Sequence, residues 1–386
     1  MHSRLTAFMK KYNILTDTQH GFWQGKSTNT AIIEFLKNIY ASVDRKDITV
    51  GLFLDLSKAF DVIDHTILLE KLQVFGIRGI ALNWFRSYLE NRMQVVEIKY
   101  IDKKTGIIKN EISSKKHIKY GVPQGSILGP VLFLLYINDL NFCCTHTKSF
   151  LFADDTSIFI AGENRHDFES NIYSALDKLS KWFDKNRLIV NKEKTVAVAF
   201  KHGQNRTTDL PSILYQKKEI NYVQETKFLG IWLDQNLNWQ KHIEVLTKKL
   251  SKICFAMHSI RKTSSLNTLR TIYYACFHSV MTYGIIFWGS SPKSKIIFKL
   301  QKRALRTIMS VHKRNSCRPL FKTLNILPLP CIYILETLVY IKTNLANFQK
   351  NSTIHSYNTR NKNELSSLPH KTSLYEKSFT YTGLKL

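Results

Sequence analysis

Asp154 and Asp155 stand side by side between two apolar runs, in FLFADDTSIFI. Neighbouring residues of a straight strand point to opposite faces, so two adjacent acids share a direction only where the strand bends. The flanking runs predict strand, tight turn, strand, with the acids at the bend. Asp also tolerates the positive φ that such bends often need. Two carboxylates held together repel unless a cation neutralises them, and hard oxygen ligands suit Mg2+ or Mn2+. The same two residues are equally compatible with an ordinary polar turn.

Asp55 closes a second apolar run, VGLFLDL. An acid in that place caps a turn or helix, or stands at the tip of a buried strand. If this tip and the acid pair share one sheet, Asp55, Asp154 and Asp155 could clamp two metal ions roughly 4 Å apart. Such a site acidifies a 3′-hydroxyl, orients an in-line attack and neutralises a departing pyrophosphate.

The elements that must hold these acids follow from apolar spacing. Ile32, Phe35, Leu36 and Ile39 mark one face of a helix over 31–46, and 48–56 reads as a buried strand. Asp64 is a candidate N-cap for a helix carrying Ile67, Leu68, Leu69 and Leu72, stopped by Gly76, and a second helix runs to about Glu90. Residues 93–120 alternate around KKTG and predict a hairpin. GVPQGSILGP is a turn-rich entry to the apolar helix VLFLLYINDL, and Phe168, Ile172, Leu176, Leu179 and Phe183 mark a long amphipathic helix. TVAVAF and KFLGIWLD read as strands. After Asn238 the chain turns helical and basic to about residue 325. Strands separated by helices, then a helical part, give an α+β domain followed by a helical one.

The 386 residues carry 56 Lys+Arg against 29 Asp+Glu, a net charge of +27. That excess favours an anionic polymer as partner, nucleic acid before membrane. It is concentrated: residues 241–322 hold 17 Lys/Arg and a single acid, Glu244, interleaved with aromatic and aliphatic residues. An apolar fraction of 44% excludes a disordered chain. The cysteines Cys143, Cys144, Cys254, Cys276, Cys317 and Cys331 show no zinc-ligand spacing and read as reduced thiols of an intracellular protein. MHSRLTAFMKKY has no apolar signal core, so the nucleus or cytoplasm is expected rather than secretion. Ile127–Asn138 is too short to span a bilayer; Thr271–Pro292 is long enough but holds His278, hydroxyls and Gly284, and reads as buried helices.

VGLFLDLSKAFDVIDH (50–65), YGVPQGSILGPVLFLLYINDL (120–140) and FLFADDTSIF (150–159) resemble three successive blocks of non-LTR retrotransposon reverse transcriptases of the jockey and CR1 kind. QHGFWQGKSTNTAI (19–32) is similar to the block before them, and WFDKNRLIVNKEKT (182–195) and KFLGIWLDQNLNW (227–239) to the two after. YGIIFWG and LQKRALRTI resemble the thumb of the same group. One block is weak evidence; six in order are not. The resemblance implies a right-hand polymerase: 1–50 a remnant of fingers, 51–235 a palm with a finger-side insertion about 75–120, 236–330 a basic helical thumb, and 331–386 a weakly ordered tail.

It also implies an RNA-directed DNA polymerase that transfers dNTPs onto a primer 3′-OH. The partners would be an RNA template with a DNA primer and the RNA–DNA hybrid, with two Mg2+ (or Mn2+) ions and no membrane. Asp55 and Asp154 would bind the metals, with Asp155 beside them. Phe60 matches the ring that excludes a ribose 2′-hydroxyl. Gln124 matches the residue lying against the incoming nucleotide and template, and Gly121 and Gly125 would let backbone approach nucleic acid. Lys194 matches a group proposed to protonate pyrophosphate, although a surface lysine fits that place as well. Phe228, Leu229 and Gly230 match the hairpin that holds the primer end. Only 18 residues precede Gln19, so the triphosphate-gripping fingers and an upstream endonuclease are expected to be missing, and the chain reads as N-terminally truncated. A catalytically inactive nucleic-acid-binding remnant, and an RNA-directed RNA polymerase or maturase-like protein, stay open as alternatives.

Overall fold

A computed structural model describes residues 1–143, 147–201, 210–354, 356–357, 359–366 and 369–386. The strands, in chain order, are β1 (Ile48–Leu54), β2 (Met93–Gln94), β3 (Glu97–Ile101), β4 (Ile108–Ile112), β5 (Lys116–His117), β6 (Lys148–Phe152), β7 (Asp155–Gly162), β8 (Val196–Phe200), β9 (Ile213–Tyr215), β10 (Lys218–Tyr222), β11 (Glu225–Phe228) and β12 (Ile231–Asp234). Six of them form the main sheet in the order β6-β7-β1-β8-β10-β9. β1 is central and buried from Thr49 to Leu54, which explains a run without polar alternation. The hairpin expected over 93–120 is two nested ones, β2 with β5 and β3 with β4, the inner pair turning through KKTG.

Helices pack around this sheet as their apolar positions dictate. Asp64 caps the helix His65–Val74 as expected, its carboxylate accepting from the N–H groups of Thr66 (2.9 Å) and Ile67 (3.1 Å). The helix Leu128–Ile137 is apolar on every face and buried on every face. The amphipathic helix Arg165–Lys185 buries Phe168, Ile172, Leu176, Leu179 and Phe183, the row read from the sequence.

The chain divides into two compact units that interleave along the sequence, unlike the contiguous segments expected. One comprises Met1–Phe35, Gly51–Ala197 and Leu210–Asn221; the other Leu36–Val50, Val198–Asp209 and Tyr222–Leu386. In the second unit, the apolar stretch 271–292 is a series of short helical pieces broken at Gly284, with Tyr273, Phe277, Met281 and Ile285–Trp288 buried. Among the described residues no single helix is long and apolar enough to cross a membrane; one pair, Arg318–Leu324 with Leu329–Thr343, bent by 56°, is so by length and composition taken together.

Both ends of the expected weakly ordered tail, 331–386, are packed, while the described residues between 344 and 371 are exposed or half-buried. The helix Leu329–Thr343 buries Leu329, Ile332, Tyr333, Thr337 and Ile341. Phe379 and Tyr381 of the helix Phe379–Leu384 are buried as well. The carboxylate of Asp44 accepts hydrogen bonds from Lys371 N (2.9 Å), Thr372 N (2.8 Å) and Thr372 Oγ1 (2.8 Å). The polar average of the segment hid these apolar anchors. Cys143, Cys254, Cys276, Cys317 and Cys331 form no disulfide, and Cys144 lies outside the described residues.

Candidate active site

The acid pair lies at a two-residue hairpin turn, as its flanks predict: Phe152 at the end of β6 pairs with Asp155 at the start of β7, leaving Ala153 and Asp154 as the turn. The residue with positive φ is Ala153 (54°) and not an aspartate. An L side chain in that region costs roughly 1–2 kcal/mol, so the surroundings must hold it. They do so through residues 14–21. The carbonyl of Thr18 accepts from Leu151 N (3.0 Å), His20 N donates to the Leu151 carbonyl (2.8 Å), and Gln19 pairs in parallel with Leu151. Gln19 Oε1 then accepts from Gly21 N (2.7 Å) and from Ala153 N (3.3 Å).

Gly21 lies so close that a Cβ there would stand 2.4 Å from Ala153 N. The strap is anchored further back by Asn138, whose side chain bonds Thr16 N (2.9 Å) and the Ile14 carbonyl (2.7 Å). His20 is buried against Thr30 Oγ1 (2.9 Å), and burial pushes its imidazole down to about 4, so it is neutral near pH 7. QHGF thus acts as a clamp on the acid turn, a role that spacing along the chain could not reveal.

Asp55 follows the last residue of β1, and β1 neighbours β7 in the sheet. The loop 191–194 folds onto it. Asn191 N donates to the Asp55 carbonyl (2.7 Å), while Asn191 Oδ1 accepts from Glu193 N (3.1 Å) and Lys194 N (3.3 Å). That fold sets Lys194 Nζ 3.7 Å from Asp55 Oδ2, with the two side chains 69% and 40% exposed.

The structure departs from a cage of three carboxylates: among the described residues, no three His, Cys, Asp or Glu side chains gather as a metal-holding group. Asp155 is exposed at the first position of β7, where strand geometry turns its side chain away from that of its neighbour. Mg2+ is ordinarily held by one or two carboxylates, with substrate phosphates and water completing its shell. Asp55 and Asp154, part-exposed oxygen donors at the ends of neighbouring strands, fit that mode.

Phe60 and Gln124 are brought together by the GVPQG loop. Gly121 N donates to the Ile63 carbonyl (2.8 Å) and Val122 N to the Phe60 carbonyl (2.9 Å). Gly121 has φ of 84°, and a Cβ there would meet the Asp61 backbone at 2.7–2.9 Å. Its glycine therefore serves this internal contact and not an approach to nucleic acid. Gly125 (φ 78°) faces open space. Gln124 Nε2 donates to Asp61 Oδ1 (2.8 Å), which orients the exposed amide. The half-buried Phe60 ring stacks on buried Phe133 at 4.5 Å between centroids. A cavity of about 350 Å³ opens beside Gln124, lined also by Asp61, His65, Arg92 and Tyr120.

In the second unit, β11 and β12 form the expected hairpin, turning at Leu229 (φ 44°) and Gly230 (φ 88°). Phe228 is only 4% exposed, so its ring is core and cannot touch a primer; the turn offers backbone instead. Tyr283 was not singled out from the sequence, yet its hydroxyl donates to the Leu229 carbonyl. At its neighbour Gly284 (φ 62°) a Cβ would stand 2.4 Å from Ile231 Cδ1, so the buried Ile231 side chain would have to shift.

The chain is 29% identical over 325 residues to a probable RNA-directed DNA polymerase from transposon BS of Drosophila melanogaster, covering 79% of this chain and 34% of that protein. It is 28% identical over 306 residues to the RNA-directed DNA polymerase from mobile element jockey of the same organism, covering 75% and 31%. The chain thus spans about a third of the length of the curated relatives it matches. Among solved structures, apo telomerase from Candida tropicalis aligns with a TM-score of 0.44 at 12% identity, covering 91% of this chain and 59% of that one, a likeness too low to bear on the fold. Residues 1–233 match the reverse transcriptase (RNA-dependent DNA polymerase) family. With the acid turn, the strand-end acid and the braced GVPQG loop in that segment, the chain belongs to the reverse transcriptase family.

Proposed function

We propose that this chain carries an RNA-directed DNA polymerase activity, adding dNTPs to the 3′-OH of a primer on an RNA template. The observation that carries the reading is the placement of Asp55 and Asp154 at the ends of neighbouring strands of one sheet, the second held by a dedicated clamp. Asp55 and Asp154 would hold two Mg2+ (or Mn2+) ions together with the triphosphate and primer end. Bound there, the ions lower the pKa of the attacking hydroxyl and offset the charge on pyrophosphate.

The remaining work falls to side chains. Phe60, fixed on Phe133, presents a ring edge that excludes a 2′-hydroxyl. Gln124, oriented by Asp61, positions the nucleotide against the template. Lys194, whose ammonium lies 3.7 Å from Asp55 Oδ2, would donate a proton to the leaving pyrophosphate. The backbone at Leu229–Gly230 would support the primer, and the basic helices after Asn238 would hold the RNA–DNA hybrid through its phosphates. The protein would work where such templates and dNTPs occur, in nucleus or cytoplasm.

The test is primer extension on an RNA template with Mg2+ or Mn2+, supplied with dNTPs or rNTPs. Templated incorporation of dNTPs supports the reading. Salt-sensitive hybrid binding without synthesis indicates a binding remnant, and preferential incorporation of rNTPs an RNA polymerase.

A further inference from the structure

Within the second unit, the end of the chain packs on the helix Thr28–Arg45 and leaves a cavity of about 360 Å³. Lys37, Tyr40 and Ala41 of that helix line it together with Tyr375, Tyr381 and Leu384. Phe348, Gln349 and Ser366 complete the lining. Their two segments are joined by Ser366 N donating to the Gln349 carbonyl (2.8 Å) and Asn351 N to the Glu364 carbonyl (3.0 Å). Lys37, Tyr40, Ala41 and Asp44 recur at the spacing of one helix face. The hydrogen bonds from Lys371 N and Thr372 N to Asp44 therefore tie the terminal segment to the helix at the cavity's edge.

The walls are flat and preset. Tyr375 and Tyr381 meet edge to face at 6.3 Å between centroids, and His370 stacks on Tyr375 (5.9 Å) while meeting Tyr381 edge on (4.5 Å). Tyr40 is 4% and Tyr381 8% exposed. Yet among the described residues the hydroxyls of Tyr40, Tyr375 and Tyr381 make no hydrogen bond. A buried hydroxyl without a partner is destabilising, and a ligand that accepts from it removes that cost. Burial raises the Tyr375 hydroxyl above its ordinary value, so it stays a donor. No described lining residue is acidic, and the one charge is the Lys37 ammonium. Aromatic faces alone would also attract a cation, but Lys37 opposes one. Donors over aromatic walls, with no carboxylate, select a flat ring that carries acceptor oxygens.

We propose that this cavity binds a small planar aromatic ligand carrying one anionic group, its ring against the tyrosines and its oxygens toward the hydroxyls and Lys37. A void of about 360 Å³ stands at the small end of ligand sites, roughly 300–1,000 Å³. It suits one ring system with a short polar arm and is too small for a polymer strand. The anionic group is either the phosphate of a nucleoside monophosphate or the carboxylate of an aromatic acid. None of the lining residues belongs to the candidate active site, so the cavity binds its ligand whether or not the chain polymerises. Once occupied, it would hold the terminal segment on the helix and stabilise the fold by mass action.

The experiment is isothermal titration of the full chain with AMP and, separately, with indole-3-acetate, beside thermal melts. Adenosine, inorganic phosphate and the cationic tryptamine are the controls. At least one of the two anions should bind one to one with Kd below about 1 mM, at least about tenfold tighter than every control, and raise the melting temperature. Binding of AMP alone assigns the anionic group as a phosphate, and binding of indole-3-acetate alone as a carboxylate; binding of both supports the shared chemistry. Ala41→Trp, which puts a bulky ring into the cavity, should abolish the binding. Lys37→Gln should weaken it roughly tenfold, and Tyr381→Phe roughly threefold to tenfold; these two carry the test if Ala41→Trp does not fold. Failure of the wild type to bind either anion, which needs no variant, overturns the proposal. So does tryptamine binding as tightly as the anions, or anion binding that survives these substitutions unchanged and therefore lies elsewhere.

Discussion

Gly21→Ala tests whether the QHGF segment positions the Ala153–Asp154 turn. A Cβ at Gly21 would stand 2.4 Å from Ala153 N and 3.0 Å from the Phe152 carbonyl carbon. Both are backbone atoms and cannot rotate aside, so strap and turn must separate by about 1 Å to reach ordinary contact. Overpacking of this kind costs about 1–3 kcal/mol of stability. Its effect on rate should be larger: a displacement of about 1 Å in a positioned group can cost about a hundredfold, because Asp154 is the next residue. The assay is single-nucleotide extension with kcat and KM separated, beside a thermal melt. Gly25→Ala is the control. Gly25 has φ of 83° but open space around its Cβ position, so about 1 kcal/mol of backbone strain should lower the melt without changing kcat. If Gly21→Ala melts lower yet keeps a wild-type kcat, the strap does not position Asp154.

Three further outcomes follow. Phe60→Ala should raise rNTP incorporation relative to dNTP by roughly tenfold to a hundredfold, read by paired kcat/KM values; unchanged discrimination would make Phe60 a plain partner of Phe133. Lys194→Ala removes an ion pair that is mostly in water, worth under about 1 kcal/mol, so the melting temperature should hold. The extension rate should fall roughly a hundredfold if Lys194 protonates pyrophosphate, and an unchanged rate would reduce it to a surface partner of Asp55. Burial lowers His20 and His242 to about 4 from an ordinary value of 6.5. Their depressed values mean that the unfolded chain binds protons first. Stability is therefore full above about pH 6.5 and is lost as pH falls toward 4. His20→Gln/His242→Gln should flatten the melting temperature between pH 7 and 4.5, and an unflattened profile would show these histidines titrating normally.

The sequence carried the local signals and missed the distant ones. Asp64 is a cap because a short acid precedes an apolar row, and the acid turn is a turn because two apolar runs flank it. Both are contacts within a few residues. The clamp joins Gln19 to Ala153, 134 positions apart, and nothing near either residue announces it. The positive φ fell on Ala153 because Gln19 and Gly21 hold that backbone, which overrides the preference of Asp for such a place. The Asp61 backbone occupies the space where a Gly121 Cβ would be, a contact between residues 60 positions apart that the glycine-rich loop does not announce. A hairpin alternates faces, and the core claims the Phe228 ring that the motif alone would set against a primer. The order of the tail was lost in averaging, because a few apolar anchors such as Ile332, Ile341, Phe379 and Tyr381 sit in a polar background.

The central claim is that Asp154, held at the β6–β7 turn, is part of a metal-dependent nucleotidyl-transfer site. The most direct measurement is Mg2+-dependent primer extension on an RNA template by the wild type and by Asp154→Ala, with hybrid binding measured in parallel. Extension by the wild type, none by Asp154→Ala, and the same hybrid affinity in both are the expected results. Extension that survives Asp154→Ala, or a wild type that binds hybrid and adds no nucleotide, would contradict it.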